Sequence, residues 1–327
     1  MRVTGVEAGK GTRALVALAA ALLLALAGCQ AEDEGVPQGR SPFTGLPAEP
    51  RPVLAVKIDN AAPARPQTGL DRADIVYVEQ VEAGLSRMLA IFSAELPPAV
   101  GPVRSARETD LDLLRQFGTP ALAYSGVQRK LQPAIDAAPL YPVPPGRAPE
   151  AYYRGRDRAA PYNLYVRPAA ALRAAPKASE AADIGFRFGA APKGGGRAEP
   201  EHTVRYPSAR FGFTWSAERR RWLVSFDGRA ATTTDGHRLG AATVVVQYVR
   251  VHPSRYHDRL GSVSPLTETT GAGRASVLRD GRSYEAVWER RTARDGTEFL
   301  DPDGKRLAFA TGPVWVVYAD ADDQPPA

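Results

Sequence analysis

A single cysteine, Cys29, is all the thiol in this chain, so the folded part holds no disulfide and no thiolate metal site. Histidine is confined to His202, His237, His252 and His257. His252 and His257, with Asp258, lie in a loop-like stretch (HPSRYHD) that fits no regular ligand spacing and reads as solvated, so neither a metal nor another cofactor is expected. The longest apolar run, Ala14–Ala27, is 14 residues. A membrane-spanning helix needs roughly 20. There is no G-x-S-x-G elbow, no P-loop and no H-E-x-x-H, so the familiar nucleophile, nucleotide and zinc-protease signatures are missing and no reaction is assigned. Arginine outnumbers lysine 36 to 6, as codon bias in a GC-rich genome would produce, which makes a scattered arginine weak evidence of function. Asparagine occurs only twice, at Asn60 and Asn163.

What is present starts at the N-terminus. Arg2, Lys10 and Arg13 precede the apolar run, and Leu26-Ala27-Gly28-Cys29 ends it in small residues ahead of a cysteine. This is the pattern of a bacterial lipoprotein leader: residues 1–28 form a signal peptide, Cys29 takes a diacylglyceryl group, and cleavage makes it the new N-terminus. The expected location is the extracytoplasmic face of the cell membrane, with the membrane as a partner through the Cys29 anchor. Removing the leader lowers the net charge from +6 to +4 and leaves 299 residues, enough for two cores. An exported chain meets no chromosome, so no nucleic-acid partner is expected. The pI near 9.5 suits anionic wall polymers or lipid headgroups. Oligomeric state is not legible.

Composition divides the rest. Residues 29–42 are polar, with Pro and Gly, and read as a flexible tether. Residues 43–188 mix apolar strands (Pro52–Asp59, and a hairpin of Ala73–Glu82 and Leu85–Ala94) with amphipathic helices at Ser105–Phe117 and Gln128–Ala138. Ser105 and Glu108 have capping-box spacing. A Gly/Pro/Ala-rich linker covers 189–201. Between 202 and 319, five Asp-Gly pairs (starting at Asp227, Asp235, Asp280, Asp295 and Asp303) separate strand-like runs, which predicts hairpins. Residues 320–327 read as a disordered acidic tail. The fold class expected is α+β: a mixed α/β N-terminal domain followed by a mainly antiparallel β C-terminal domain.

Three first-domain runs, RPVLAVKIDNAAPARPQTGLDRADIVYVEQVEAGLSRMLAIF, GPVRSAR from Gly101 and AYYRGRDRAAPYNLY from Ala151, resemble the YerB-like bacterial lipoproteins. TGAGRASVLRDGRSYEAVW, FLDPDGK and GPVWVV resemble that family's C-terminal part. The resemblance implies a two-domain envelope lipoprotein and implies no activity. Where the family pattern has His-Asn-Leu-Tyr, this chain has Tyr162-Asn163-Leu164-Tyr165.

The candidate chemistry lies in the first domain. Asp59 and Asn60 close a strand, the place where open α/β sheets present ligand-contacting groups. Glu79, Glu82 and Arg87 surround the hairpin turn, where Glu82 could simply pair with Arg87 across the strands. Two carboxyls drawn from Asp59, Glu79 and Glu82 would support glycoside hydrolysis if they stood about 5–9.5 Å apart. Arg104 and Arg107 open a helix, where the macrodipole disfavours cations unless an anion shares the site. Arg65 could join them, while neutralisation by Glu108 and Asp110 is the competing account. Asn60 and Asn163 either shape turns or supply a needed amide. The expected function is a lipid-anchored envelope binding protein for an anionic or sugar-containing ligand. A metal-independent cell-wall glycan hydrolase and an envelope scaffold are the alternatives.

Overall fold

Leu54–Asp59 (β1) has all six side chains buried, the signature of a central strand covered on both faces. Ile75–Gln80 (β2) and Ser86–Phe92 (β3) are similarly enclosed, and Ala121–Ala123 (β4) and Tyr141–Pro142 (β5) complete the N-terminal contribution. The C-terminal half adds Thr243–Val249 (β6), Gly271–Arg279 (β7), Arg282–Arg290 (β8), Glu298–Leu300 (β9) and Val314–Asp320 (β10). The computed structural model describes residues 1–2, 35–258 and 261–322, so Cys29 and its leader lie outside the described residues.

These ten strands form one mixed sheet in the order β9-β8-β7-β6-β10-β2-β3-β1-β4-β5. The last strand sits in the middle. β10 runs parallel to β6 on one side and to β2 on the other, with Val314 opposite both Thr243 and Ile75. The segments 43–188 and 202–319 therefore share a sheet, and from Gln38 onward the chain is one compact unit. Both apolar clusters also mix the halves: one joins Val56, Val78 and Met88 to Phe213, Trp222 and Trp315, the other Tyr77, Leu89 and Leu113 to Val245, Trp288 and Tyr318. Within 189–201, Arg197–Ala198 already pairs with β8.

A second, five-stranded sheet includes Glu201–Tyr206, Ala209–Ser216 and Arg221–Phe226. It docks its aromatic face on the first, with Phe213 6.1 Å and Phe226 6.4 Å from Trp315 between ring centroids. Asp227-Gly228 (φ 51° and 81°) and Asp280-Gly281 (φ 51° and 74°) form the left-handed two-residue turns that their sequence predicts. Asp295-Gly296 serves packing instead: a Cβ on Gly296 would stand 2.2 Å from the Ile184 carbonyl carbon.

Helix is scarcer than expected, which revises the α/β description of the N-terminal part: strands make up 41% of the described residues and helix 11%. Thr109–Leu114 (α1), Gln132–Ala137 (α2) and Pro168–Arg173 (α3) have six residues each. The expected helix from Ser105 starts only at Thr109, and the Ser105–Glu108 capping box does not form. The preceding backbone is held extended: Val103 N–H donates to Leu164 O (2.7 Å), Arg104 N–H to Lys57 O (2.8 Å) and Ala106 N–H to Gly126 O (3.1 Å). Asp110 Oδ2 accepts the Arg107 N–H (2.7 Å) in place of a cap. At the other end of α1 the buried Arg290 donates to the carbonyls of Asp112 (2.7 Å), Thr269 (3.4 Å) and Asp295 (3.1 Å), pinning β8 to that helix.

The tether is shorter than 29–42, because Arg40 bridges to Pro47 and Ser41 and Phe43 are buried. Asp320 belongs to β10, not to the tail, and residues 323–327 lie outside the described residues. Among the described residues no helix is long and apolar enough to cross a membrane.

Candidate functional site

β3 lies between β1 and β2, and the register sets Arg87 opposite both Asp59 and Glu79. Alternation along the strands then puts Lys57, Asp59, Arg87 and Glu79 on one face of the sheet. Val103–Arg107 and α1 cover that face and complete a cluster of alternating charge.

Its deepest part is Lys57, whose side chain is fully buried. Its Nζ pairs with Glu79 Oε1 and lies 2.7 Å from Asp110 Oδ1. Burial pushes the Glu79 carboxyl up to about 7, against the pull of Lys57. Sequence reasoning missed Lys57 altogether. The available signal was a lysine inside an otherwise apolar strand, where a buried ammonium must find carboxylates.

Glu82 sits in the turn after β2. The β2–β3 loop runs from Val81 to Leu85, with Ala83 and Gly84 in left-handed conformation (φ 59° and 68°), so Glu79 and not Glu82 faces Arg87. Arg107 Nη2 donates to Glu82 Oε2 (2.7 Å), while its Nε stands 2.7 Å from Oε1 off the hydrogen-bond axis and contributes charge only. Ser264, from the Val251–His257/Val263–Thr267 ribbon, donates to Oε1. Burial works to raise this carboxyl, but the Arg107 hydrogen bond and charge outweigh it and hold Glu82 down at about 2. Arg87, nearly enclosed, donates to Ser105 O (3.1 Å); burial and the neighbouring Arg107 draw its guanidinium down to about 10.

Arg104 is the opening of the cluster. Its Nε is 2.9 Å from Asp59 Oδ2, again without hydrogen-bond alignment, and its guanidinium carbon lies 5.7 Å from the Tyr162 ring centroid. The side chain is 26% exposed, and none of its N–H groups has a hydrogen-bond acceptor among the described residues. Tyr162 thus presents an aromatic face to Arg104 at that place.

The remaining candidates separate from this cluster. Asn60 turns the other way: its Nδ2 donates to Ser86 Oγ (3.0 Å), and its Oδ1 accepts from Arg65 Nε (3.1 Å) and Gln67 Nε2 (3.3 Å). Arg65 continues to Asp227 (2.7 Å) in the second sheet and lies over the Phe226 ring. Asn163 closes a turn, donating to Gly155 O (3.0 Å) and accepting from Arg154 (2.8 Å). Both asparagines are buried and neither has a positive φ, so side-chain hydrogen bonding rather than left-handed tolerance explains them. Glu108 and Asp110 do not neutralise the arginine side chains: Arg104 pairs with Asp59 and Arg107 with Glu82. His252 pairs with Glu268 (3.2 Å), and among the described residues no three His, Cys, Asp or Glu side chains converge on a common point.

The fold and the charged face define a two-segment, mixed-sheet protein. Residues 43–182 match the model of the N-terminal domain, and 202–316 that of the C-terminal domain, of a family described as protein of unknown function (DUF3048). Over 101 residues the chain is 45% identical to the protein named "Putative lipoprotein YerB" of Bacillus subtilis (strain 168), a stretch that is 28% of this chain and 30% of that relative. The alignment thus spans less than a third of that relative's length. The fold is similar to the crystal structure of the YerB protein from Bacillus subtilis, with a TM-score of 0.71 at 24% identity, covering 86% of this chain and 97% of that one. The chain belongs to the YerB-like DUF3048 family.

Proposed function

We propose that this chain is a lipid-anchored binding protein on the extracytoplasmic face of the bacterial cell membrane, with an anionic or sugar-containing envelope component as its ligand. The leader supplies the address, with Cys29 as the acylated residue after removal of 1–28. Two acyl chains from the diacylglyceryl group suffice for stable anchoring.

The observation that carries the binding reading is Arg104. A partly exposed guanidinium with unsatisfied donors, flanked by the Asp59 carboxylate and the Tyr162 ring, suits an oxygen-rich ligand. Arg107 and Glu82 hold the adjoining wall, and Asn60, Arg65 and Asn163 shape the loops beside it. For the hydrolase reading, Glu79 at about 7 is in the range of a general acid. Yet it is 2% exposed and tied to Lys57, while Glu82 and Asp59 each face an arginine. Carboxyls so engaged favour binding over hydrolysis.

The test is co-sedimentation of the purified chain with isolated cell-wall polymer. Arg104→Gln and Asp59→Asn should each weaken retention by about tenfold, the effect of one charge-assisted hydrogen bond. Cys29→Ala should move the protein out of the membrane fraction. Unchanged retention in both site variants refutes the site, and membrane retention of the Cys29 variant after a salt wash refutes the anchor.

A further inference from the structure

The hairpin of Ala209–Ser216 and Arg221–Phe226 carries three consecutive arginines, Arg219 and Arg220 in its turn and Arg221 opening the second strand, in the half of the chain remote in sequence from Arg104. They line a cleft of about 580 Å³ whose far wall includes Arg279, Asp280 and Thr311. We propose that this cleft is a second ligand site, for a phosphate group.

Arg279 is neutralised by Asp280 (2.9 Å) and spends its remaining donors on the carbonyls of Gly189, Ala190 and Ala308. Arg219, Arg220 and Arg221 have neither a carboxylate nor a hydrogen-bond acceptor for their side chains among the described residues, so the cleft keeps three uncompensated charges. Arg219 and Arg220 are exposed at the cleft and Arg221 half-buried, whereas the more enclosed arginines of this protein have partners: Arg107 has Glu82, and Arg290 has a ring of carbonyls. Arg221 is half-buried, and burial together with the neighbouring Arg220 draws its guanidinium below the usual arginine range. Arg219 acts likewise on Arg238. Like charges in a concave site are stabilised by an oxyanion carrying more than one negative charge, and guanidinium forks match phosphate geometry.

Two details of the backbone fit this use. Arg220 has φ 50°, the left-handed region, where a turn of this kind is normally given Gly, Asn or Asp. Gly312 lets the Arg221 guanidinium lie against the cleft floor, since a Cβ there would come within 2.7 Å of its Nη1. The chemistry fits equally a phospholipid headgroup and a soluble phosphate ester.

The test is calorimetric titration of the full chain in non-ionic detergent with sodium phosphate, against sodium chloride of matched ionic strength. The wild type should bind phosphate saturably. The double variant Arg219→Ser/Arg220→Gly should raise the Kd at least tenfold while the phosphate-free melting temperature stays unchanged, because glycine suits the left-handed turn. Phosphate affinity lost in Arg104→Gln and kept in the double variant would place the anion at the site proposed above and overturn this one. No saturable binding in the wild type, or equal Kd in wild type and double variant, overturns the proposal. In a Cys29→Ala background, retention on phosphatidylglycerol vesicles that the double variant loses assigns the phosphate to lipid headgroups. Displacement of inorganic phosphate by glycerol phosphate, without vesicle retention, assigns it to a soluble ester.

Discussion

Lys57→Met isolates what the buried charge triad contributes. Methionine keeps the unbranched stem but leaves Glu79 and Asp110 without their ammonium, and both carboxyls are enclosed, at 2% and 0% exposure. Removing one partner of a buried ionic group typically costs about 3–5 kcal/mol, because the remaining charge has no solvent to return to. The loss should depend on pH, and the sign follows from Glu79. Its folded-state carboxyl titrates near 7, above the 4.5 of an ordinary glutamate. The folded protein therefore holds an extra proton between those values, and stability declines as pH rises through that window. Without Lys57 the window extends further upward, and each pH unit within it costs at most about 1.4 kcal/mol. Urea unfolding at pH 5 and pH 8, followed by fluorescence of the buried Trp222, Trp288 and Trp315, measures both effects. The variant should lose about 3 kcal/mol or more at pH 8 and distinctly less at pH 5, and adding Glu79→Gln should recover part of the loss at pH 8. A loss under about 1 kcal/mol, or the same loss at both pH values, would refute the reasoning.

Arg290→Met should destabilise by a further large amount, about 3–5 kcal/mol, by leaving buried carbonyls of α1 and the 293–295 turn unpaired; urea midpoints report it. Gly281→Ala should cost about 1–3 kcal/mol in thermal unfolding, since residue 281 has φ 74° and a Cβ would stand 2.7 Å from Trp215 Cδ1. Protease should nick the chain near the exposed Gly194 and Gly195, and the two pieces should still elute together in size-exclusion chromatography because β10 lies between β6 and β2. Separate elution of folded pieces would contradict the shared sheet.

The strands were legible because their causes are local. Alternating or continuous apolar runs at 54–59, 86–92 and 221–226, and the Asp-Gly turns at 227 and 280, announce themselves in any window of ten residues. The placement of β10 was not, since Val314–Tyr318 reads as one more strand of an antiparallel unit and only the assembled sheet shows its parallel neighbours. The Ser105 helix failed for a related reason: its capping pattern is local, but the backbone N–H groups of 103–106 are taken by residues distant in sequence. Of the candidate site, the pairing of types was anticipated and the partners were not. Glu82 was expected opposite Arg87 and instead meets Arg107, because the hairpin loop occupies Val81–Leu85 and the register sets Glu79, three residues earlier, opposite Arg87. Arg104 and Asp59 meet although they stand 45 positions apart in the sequence, and Lys57 was hidden by the apolar strand around it.

Residue-level NMR of the Arg104 Nε–H and the Tyr162 ring, during titration with solubilised cell-wall fragments, tests the proposed binding face most directly. Saturable shifts of both signals at a common Kd are expected, abolished for Tyr162 by Arg104→Gln with the remaining spectrum unchanged. Fragments that bind the protein while both signals stay fixed, or that never bind at all, would contradict the proposed face.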